Sequence, residues 1–514
     1  MRAIHLLPAA LVLVALGAIG GVAQLGHPAA APAPASTPAV TRQVPVTSAA
    51  RACPPAPGGG AAPVALLAGG ASAAGTSAGG QGQRGQVELT ALPPAGLSVR
   101  ATGPVRAQSP GVLSLLTLPA TAATGKKDTP AAQGWSVAGG GTMAQGMEAE
   151  LTQGSGLASV RCAEPGSDLW FLGPGQASGG SQVQLDLMNV DSTAASVDVN
   201  VINDGGQAEM GDDDGITVPP HQTVTESLSP VAHGSSVLAI EVHTSIGRVA
   251  AAVSAESHGT TSWLPGTASP STRLVIPGVP PSGSTAGLFV ADPGTSTAKV
   301  TVTAITPQGH IRPFGSQSVD VPGQSASYVA LSPLGGTTAA LQLTSNVPIT
   351  ATVLVPGSGP GVLTSATPPI SELAIVAGNT SGAGLAASVL LSAPGAAARV
   401  RLTEIAPADR ASASGTGAGG TSANGASRSV TASQVVSVKA GRTLAAPVKA
   451  PKGARHGSAF AVVITPLAGS GPVYAARVET RNRSTVVSII PAASALTTIS
   501  LRPVRDSYDA IWPS

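Results

Sequence analysis

The stretch Val197-Asp-Val-Asn-Val201 alternates apolar and polar residues, and its pattern returns as Val300-Thr-Val302, with Val300 standing 103 residues after Val197. Leu185 and Leu288 stand at the same offset, as do Val218 and Val321. Alternation of this kind, with β-branched residues, is what a half-buried antiparallel strand requires. A period of that length is one sandwich domain, far longer than one solenoid turn. The repeat therefore predicts an all-β chain of tandem immunoglobulin-like β-sandwich modules.

Working outward, each copy carries the same punctuation. Leu185-Asp-Leu187 and Val197–Val201 lead through Gly205 to Val218-Pro-Pro220, and Leu288-Phe-Val290 and Val300–Val302 lead through Gly309 to Val321-Pro-Gly323. Each continues with a strand pair, Leu238–Val242 with Val249–Val253 and Leu341–Leu343 with Ile349–Val355. A looser third copy runs from Leu373-Ala-Ile-Val376 through Val400-Arg-Leu402, Val435–Val438 and Ala461–Ile464 to Val473–Val478. Its Gly/Ala/Ser/Thr stretch Ser412–Ser427 reads as a flexible loop. Ahead of the repeats, Val87-Glu-Leu89, Leu97-Ser-Val99, Val112–Leu116 and Trp135-Ser-Val137 are short strand candidates. Met147–Leu151 and Leu157–Cys162 form a hairpin candidate that completes an atypical β module.

The expected organisation is an N-terminal apolar helix over 1–25, acting as a signal peptide or a signal-anchor transmembrane helix, and a disordered linker over 26–85. The atypical module follows over 86–166, then sandwich module 1 over 167–270, module 2 over 271–368, module 3 over 369–492 with its insert at 411–428, and a tail over 493–514. Arg2 and the apolar run Ala3–Ala23 are the export signal. The run is near the length that spans a bilayer, while Gly21-Val22-Ala23 permits cleavage, so anchored and secreted forms both stand. In either form the rest of the chain is extracytoplasmic. The Ala/Pro/Gly/Ser/Thr composition from Gly26 onward cannot bury enough apolar surface to offset ordering entropy. Cys53 and Pro63-Val-Ala-Leu-Leu67 interrupt it, and partial order is expected there.

A formal charge of +2 over 514 residues, with scattered Lys and Arg, leaves no electrostatic footprint for nucleic acid. Aromatic residues make up 2% of the chain, which weakens a sugar-binding surface built on stacking platforms. Gly75-Thr-Ser77-Ala-Gly79 fits the nucleophile-elbow spacing without a strand and helix around it. Gly415-Thr-Gly417-Ala-Gly-Gly420 fits a dinucleotide loop without a βαβ unit. Asp212-Asp-Asp214, near Asn203 and Asp204, is either a solvated loop or a cation site lacking the spaced ligands of a calcium loop. His221, His233, His243 and His258 fall in one module without metal-ligand spacing. No catalytic residue, metal or cofactor is assigned, and the chain is expected not to be an enzyme.

Cys53 and Cys162 are the strongest constellation. An exported chain with two cysteines most simply joins them. The bond would close about 110 residues and contribute roughly 4–5 kcal/mol. A free thiol, a metal ligand and an intermolecular bridge are the alternatives. Trp170-Phe171 aligns with Leu274-Val-Ile276 and Leu373-Ala-Ile375, so it reads as a core or inter-module contact, with an exposed recognition patch as the other reading. Trp135 and Trp512 complete the candidate junction or interaction residues. Tyr508-Asp-Ala-Ile-Trp512 either docks on module 3 or serves as a partner peptide.

These features resemble an uncharacterised actinobacterial family of exported or membrane-anchored proteins. The resemblance rests on the N-terminal apolar segment, an early Cys-Pro, Trp135-Ser-Val137, Gly156-Leu-Ala-Ser-Val-Arg-Cys-Ala-Glu-Pro165, Asp168-Leu-Trp-Phe-Leu-Gly-Pro-Gly175, Leu185 with Asn189, and Val218-Pro-Pro220. It carries over no catalytic residue. It implies a part in envelope polysaccharide assembly or surface display. The expected role is a non-catalytic envelope scaffold, with a glycan- or cell-wall-binding accessory as the alternative and an extracellular hydrolase as a third. Expected partners are envelope proteins or cell-wall polysaccharide, not nucleic acid, and the membrane if the N-terminal segment is retained.

Overall fold

The computed structural model describes residues 42–501 apart from 57–59, 76–85, 97–108, 119–132, 154–157, 177–180, 209–214, 258–259, 282–284, 314–317, 332–333, 335, 358–360, 383, 409–428 and 483. The N-terminal apolar segment, Leu97–Val99, Asp212–Asp214, Gly415–Gly420 with its insert, His258, Trp512 and all but Gly75 of Gly75–Gly79 lie outside the described residues. Among the described residues the chain is nearly all strand, and no helix is long and apolar enough to cross a membrane. Two units separate, Pro45–Thr498 and a small one of residues 1–44 with 499–514, in which Gln43 Nε2 donates to Ser500 Oγ at 2.6 Å.

Sandwich module 1 shows how sequence becomes sheet. In Ser181–Met188 the residues Val183, Leu185 and Leu187 are buried in the core, and in Ala195–Asn203 Val197 and Val201 are. One sheet orders Gly206–Ala208, Ala195–Asn203, Val237–Ile246, Asp168–Pro174 and Gly266–Thr267. The facing sheet orders Thr223–Ser227, Ser181–Met188, Ala250–Ser257 and Thr260–Leu264. Modules 2 and 3 repeat these pairings, with Ala286–Asp292 and Leu385–Ala393 in the place of Ser181–Met188.

The strands Leu238–Val242 and Val249–Val253, read from sequence as a pair, belong to opposite sheets, and the same holds in module 2. There, one seventeen-residue strand, Ala339–Val355, bends from one sheet into the other. In module 1, Gly247 makes the corner at φ 77°. Adjacent alternating segments look alike whether they pair with each other or pass between sheets, because both faces need the same period.

A left-handed residue recurs three positions after Val218, Val321 and Val438: His221 (φ 52°), Gln324 (φ 53°) and Gly441 (φ 67°). Only in the third copy does the residue suit the backbone. His221→Gly is expected to raise stability by roughly 0.5–1 kcal/mol, read as a higher denaturant midpoint. A lower midpoint would contradict this assignment of strain.

The linker expected over 26–85 requires correction. Ser48–Cys53 pairs with Gly134–Gly140, and Ala62–Leu67 lies between Leu113–Leu118 and Glu148–Gln153. Leu66 and Leu67 are buried, at roughly 1.5–3 kcal/mol each. The order falls at Cys53 and Pro63–Leu67, the two interruptions where partial order is expected, and it extends to whole core strands because Ala packs as well as it dilutes. The tail likewise begins as docked structure. The Glu372 carboxylate accepts from Thr497 N at 2.9 Å and from the hydroxyls of Thr497 and Thr498, and Ala495 is buried against module 3.

The four modules form a closed circuit. Met188, Ala250, Ala252 and Trp263 of module 1 pack on Ala52 and Leu92 of the atypical module. Phe289 and Ala291 of module 2 join the core of module 1. Leu390, Ala476 and Ile489 of module 3 join the core of module 2. Leu373, Ile375 and Val463 of module 3 return to Ala65, Leu67 and Leu113 of the atypical module. Small residues permit the approach. A Cβ on Gly278 would lie 2.6 Å from Ala476 Cβ, and one on Gly70 2.4 Å from Ile375 Cδ1.

Candidate functional site

At the centre of this circuit an edge strand near the end of every module meets its neighbours: Ala158–Arg161, Thr260–Leu264, Val362–Ser365 and Thr485–Pro491. Edge strands expose unpaired backbone groups and are ordinarily shielded. Here they shield one another and border a partly open cavity of 530 Å³ lined by all four modules. That volume is in the range of small-molecule sites. Its apolar wall includes Trp170, Phe171, Trp263, Leu264, Leu363 and Ile489. Trp170 and Phe171 are 4% and 5% exposed, so the pair lies at a module junction and on the cavity wall.

Charge at the cavity is organised in pairs. Glu148 accepts both Arg161 Nε, at 2.6 Å, and Arg161 Nη2, and it lies 3.6 Å from Arg51 Nε. Arg51 Nη1 is 3.2 Å from Glu164. Burial opposes the Arg161 charge, but the Glu148 charge and hydrogen bonds outweigh it and hold the guanidinium above its ordinary pKa. Glu164 and Asp168 are the exposed acidic members of the lining.

The Cys53–Cys162 disulfide supports this wall. Both cysteines are buried in the atypical core with Trp135, whose backbone lies opposite Cys53. The bridge fixes the chain between Arg161 and Ala163, both of which line the cavity. The sequence-derived residues thus divide. Cys53, Cys162 and Trp135 form a core, and Trp170 and Phe171 form a cavity wall.

A second buried charge cluster closes the circuit and was not foreseen. Arg477 is fully buried, with Nη1 2.9 Å from Glu150 Oε1 and donating to Gly378 O at 2.9 Å, while Nη2 donates to Ser488 Oγ at 2.8 Å. Glu479 lies 3.7 Å away and accepts from Thr380 N at 2.6 Å. Gly378 N donates to Glu150 Oε2 at 2.9 Å. Burial raises the Glu479 pKa, and Arg477 offsets part of the rise. Glu150 belongs to the atypical module and the other groups to module 3, so the cluster latches the two ends of the circuit.

Asp186, on the outer face of Ser181–Met188, is buried without a cationic partner; Oδ1 accepts from Thr225 Oγ1 at 2.7 Å and Gln184 Nε2 at 3.0 Å. Burial pushes its pKa from 3.8 up to about 6, against those hydrogen bonds. Between these values the folded chain keeps a proton that the unfolded chain has lost, so stability falls as pH rises through that window. Asp186→Asn is expected to flatten this slope and add about 3 kcal/mol at pH 7, measured by denaturation between pH 4 and 7. An unchanged slope would refute it.

Among the described residues no three His, Cys, Asp or Glu side chains gather as a metal site. His221, His233 and His243 are exposed. Tyr328, packed on Phe289 at 5.3 Å, is the one aromatic among the exposed large side chains described, at 48%, so exposed aromatics do not cluster there.

Fold and site together define a multi-module β-sandwich protein closed around a central cavity. Residues 119–424 match a family of unknown function, DUF5719, and the chain belongs to that family. No curated protein and no solved structure matches it.

Proposed function

We propose that this chain is a non-catalytic, extracytoplasmic interaction scaffold of the cell envelope, built from immunoglobulin-like sandwich modules. The carrying observation is the use of its buried charge. Glu148, Glu150, Arg161, Arg477 and Glu479 are engaged in ion pairs that hold strands and modules together. Catalytic carboxylates, in contrast, must face substrate; Glu164 and Asp168 do line the cavity, where Glu164 is paired with Arg51 at 3.2 Å and Asp168 accepts from Ser269 Oγ. The disulfide favours an oxidising compartment outside the cytoplasm. Retention at the membrane by residues 3–23, and the actinobacterial setting, belong to this same reading, in which envelope proteins or cell-wall polysaccharide are the partners.

The test combines deletion with envelope composition analysis and recovery of crosslinked partners. A changed envelope composition together with recovered envelope components supports the scaffold. Reproducible glycan turnover by the purified protein would overturn its non-catalytic character.

A further inference from the structure

We infer that the chain pairs with a second copy of itself through module 3, the edge strand Ser429–Val438 of each copy lying antiparallel to the other across a twofold axis. The inference goes beyond the scaffold reading and does not depend on it.

The three repeats treat the same sheet edge differently. Ala195–Asn203 is flanked there by Gly206–Ala208 and Ile216–Val218, and Ala298–Ile305 by His310–Ile311 and Val319–Val321, short strands of 2 or 3 residues. A corner of the following module sits against each. Gln324 Nε2 donates to Gln207 Oε1 at 3.4 Å, and Thr443 N donates to Thr306 O at 3.3 Å, beside the turn into His310. In module 3, Ala398–Pro407 pairs along its whole length with Ser429–Val438, a strand of 10 residues. Among the described residues no further strand pairs with this one. The matching corner of module 1 is already taken by the atypical module, since Thr223 N donates to Pro93 O at 2.8 Å. Head-to-tail addition of a second copy is thus closed, and a twofold contact remains.

Long open edges ordinarily carry charge, proline or a bulge. Ser429–Val438 reads SVTASQVVSV, without a charged residue, Pro or Gly, and its pairing with Ala398–Pro407 runs without a register shift. The edge strand of the facing sheet, Arg442–Val448, does carry Arg442 and Pro447. An uncharged strand can lie against its own copy with no like charges opposed.

The faces set the register. Val430 and Val436 pack half-buried on the module 3 core, whereas Thr431, Ser433, Val435 and Ser437 are exposed. A slip of one residue exchanges the two faces, so the twofold axis must pass through a residue and not between two. Centred on Ser433, it sets Val430 opposite Val436 and completes the burial of both. The strand is held in advance: Gln434 Nε2 donates to Glu404 Oε1 and Pro447 O, and Leu113 N donates to Ser429 Oγ. Pairing therefore orders little new chain. A strand of this length runs about 33 Å, and two sheets with their side chains span about 20 Å. Joined ends of that size bury about 1,300 Å² in total, within the range of specific interfaces.

The experiment uses the purified full chain in a nonionic detergent, which keeps the apolar run Ala3–Ala23 from associating by itself. Sedimentation velocity is expected to show a monomer–dimer equilibrium in the micromolar range and no larger species. Ser433→Lys, at an exposed position, opposes like charges at the axis and is expected to weaken the dimer at least tenfold with an unchanged circular dichroism spectrum. Ser433→Cys is expected to yield a covalent dimer with a short bismaleimide. Thr217→Cys, exposed on the corresponding edge of module 1, is expected not to. A monomer at every concentration, a dimer indifferent to Ser433→Lys, equal crosslinking at the two positions, or growth beyond the dimer would each overturn the pairing.

Discussion

Arg477→Ala is expected to destabilise the chain by roughly 3–5 kcal/mol, measured by chemical denaturation at neutral pH. The substitution removes the cation between two carboxylates, Glu150 and Glu479, that are themselves 2% and 1% exposed at their side chains. Each retains one backbone donor, Gly378 N and Thr380 N respectively, which is too little for a buried negative charge. Removing one partner of a buried ion pair strands the other charge, whereas replacing all of it with neutral groups is far milder. Arg477→Met combined with Glu150→Gln and Glu479→Gln should therefore recover most of the loss. A loss below about 1 kcal/mol for Arg477→Ala would place the cluster in solvent, as exposed pairs typically contribute that little.

Removing the disulfide is the second large effect. Cys53 and Cys162 are separated by 109 residues, and a loop of that length contributes about 4–5 kcal/mol by restricting the unfolded chain. Both cysteines are buried, so Cys53→Ala with Cys162→Ala leaves an apolar core without stranded polar groups. The oxidised chain is expected to melt well above the double variant, and a reducing agent should lower the melting temperature of the oxidised chain alone. Two free thiols in protein taken from the envelope would refute the bridge. The loss should extend to the cavity, since Arg51, Arg161 and Ala163 flank the two cysteines.

The strands were legible because their alternation is local. Leu185 with Leu288, Val197 with Val300 and Val218 with Val321 are buried in matching strands, and the repeated left-handed position after Val218, Val321 and Val438 adds a fourth register mark. The closed circuit was not legible, because it depends on faces that alternation leaves free. In Glu148–Gln153 the core takes Ala149 and Leu151, and Glu148 and Glu150 face the other way. Charges on an outward face ordinarily mean solvent; here they mean a second interface.

A signal was nonetheless present. In a chain that is only 10% charged, the two-residue spacings Glu148/Glu150 and Arg477/Glu479, alternating with core-facing Ala149, Leu151, Ala476 and Val478, mark faces that another module covers. The cavity left a fainter mark. Trp170 was singled out, but Trp263 stands near the end of a repeat, and nothing local shows that four edge strands converge.

The closed circuit is tested most directly by a double-mutant cycle between Glu150 in the atypical module and Arg477 in module 3, using Glu150→Gln, Arg477→Met and both together in the full chain. Contact across the circuit predicts a coupling energy of about 1–3 kcal/mol, the double variant losing much less than the sum of the single losses. Additivity within about 0.5 kcal/mol would mean that the two residues do not meet, and that the modules form an open string.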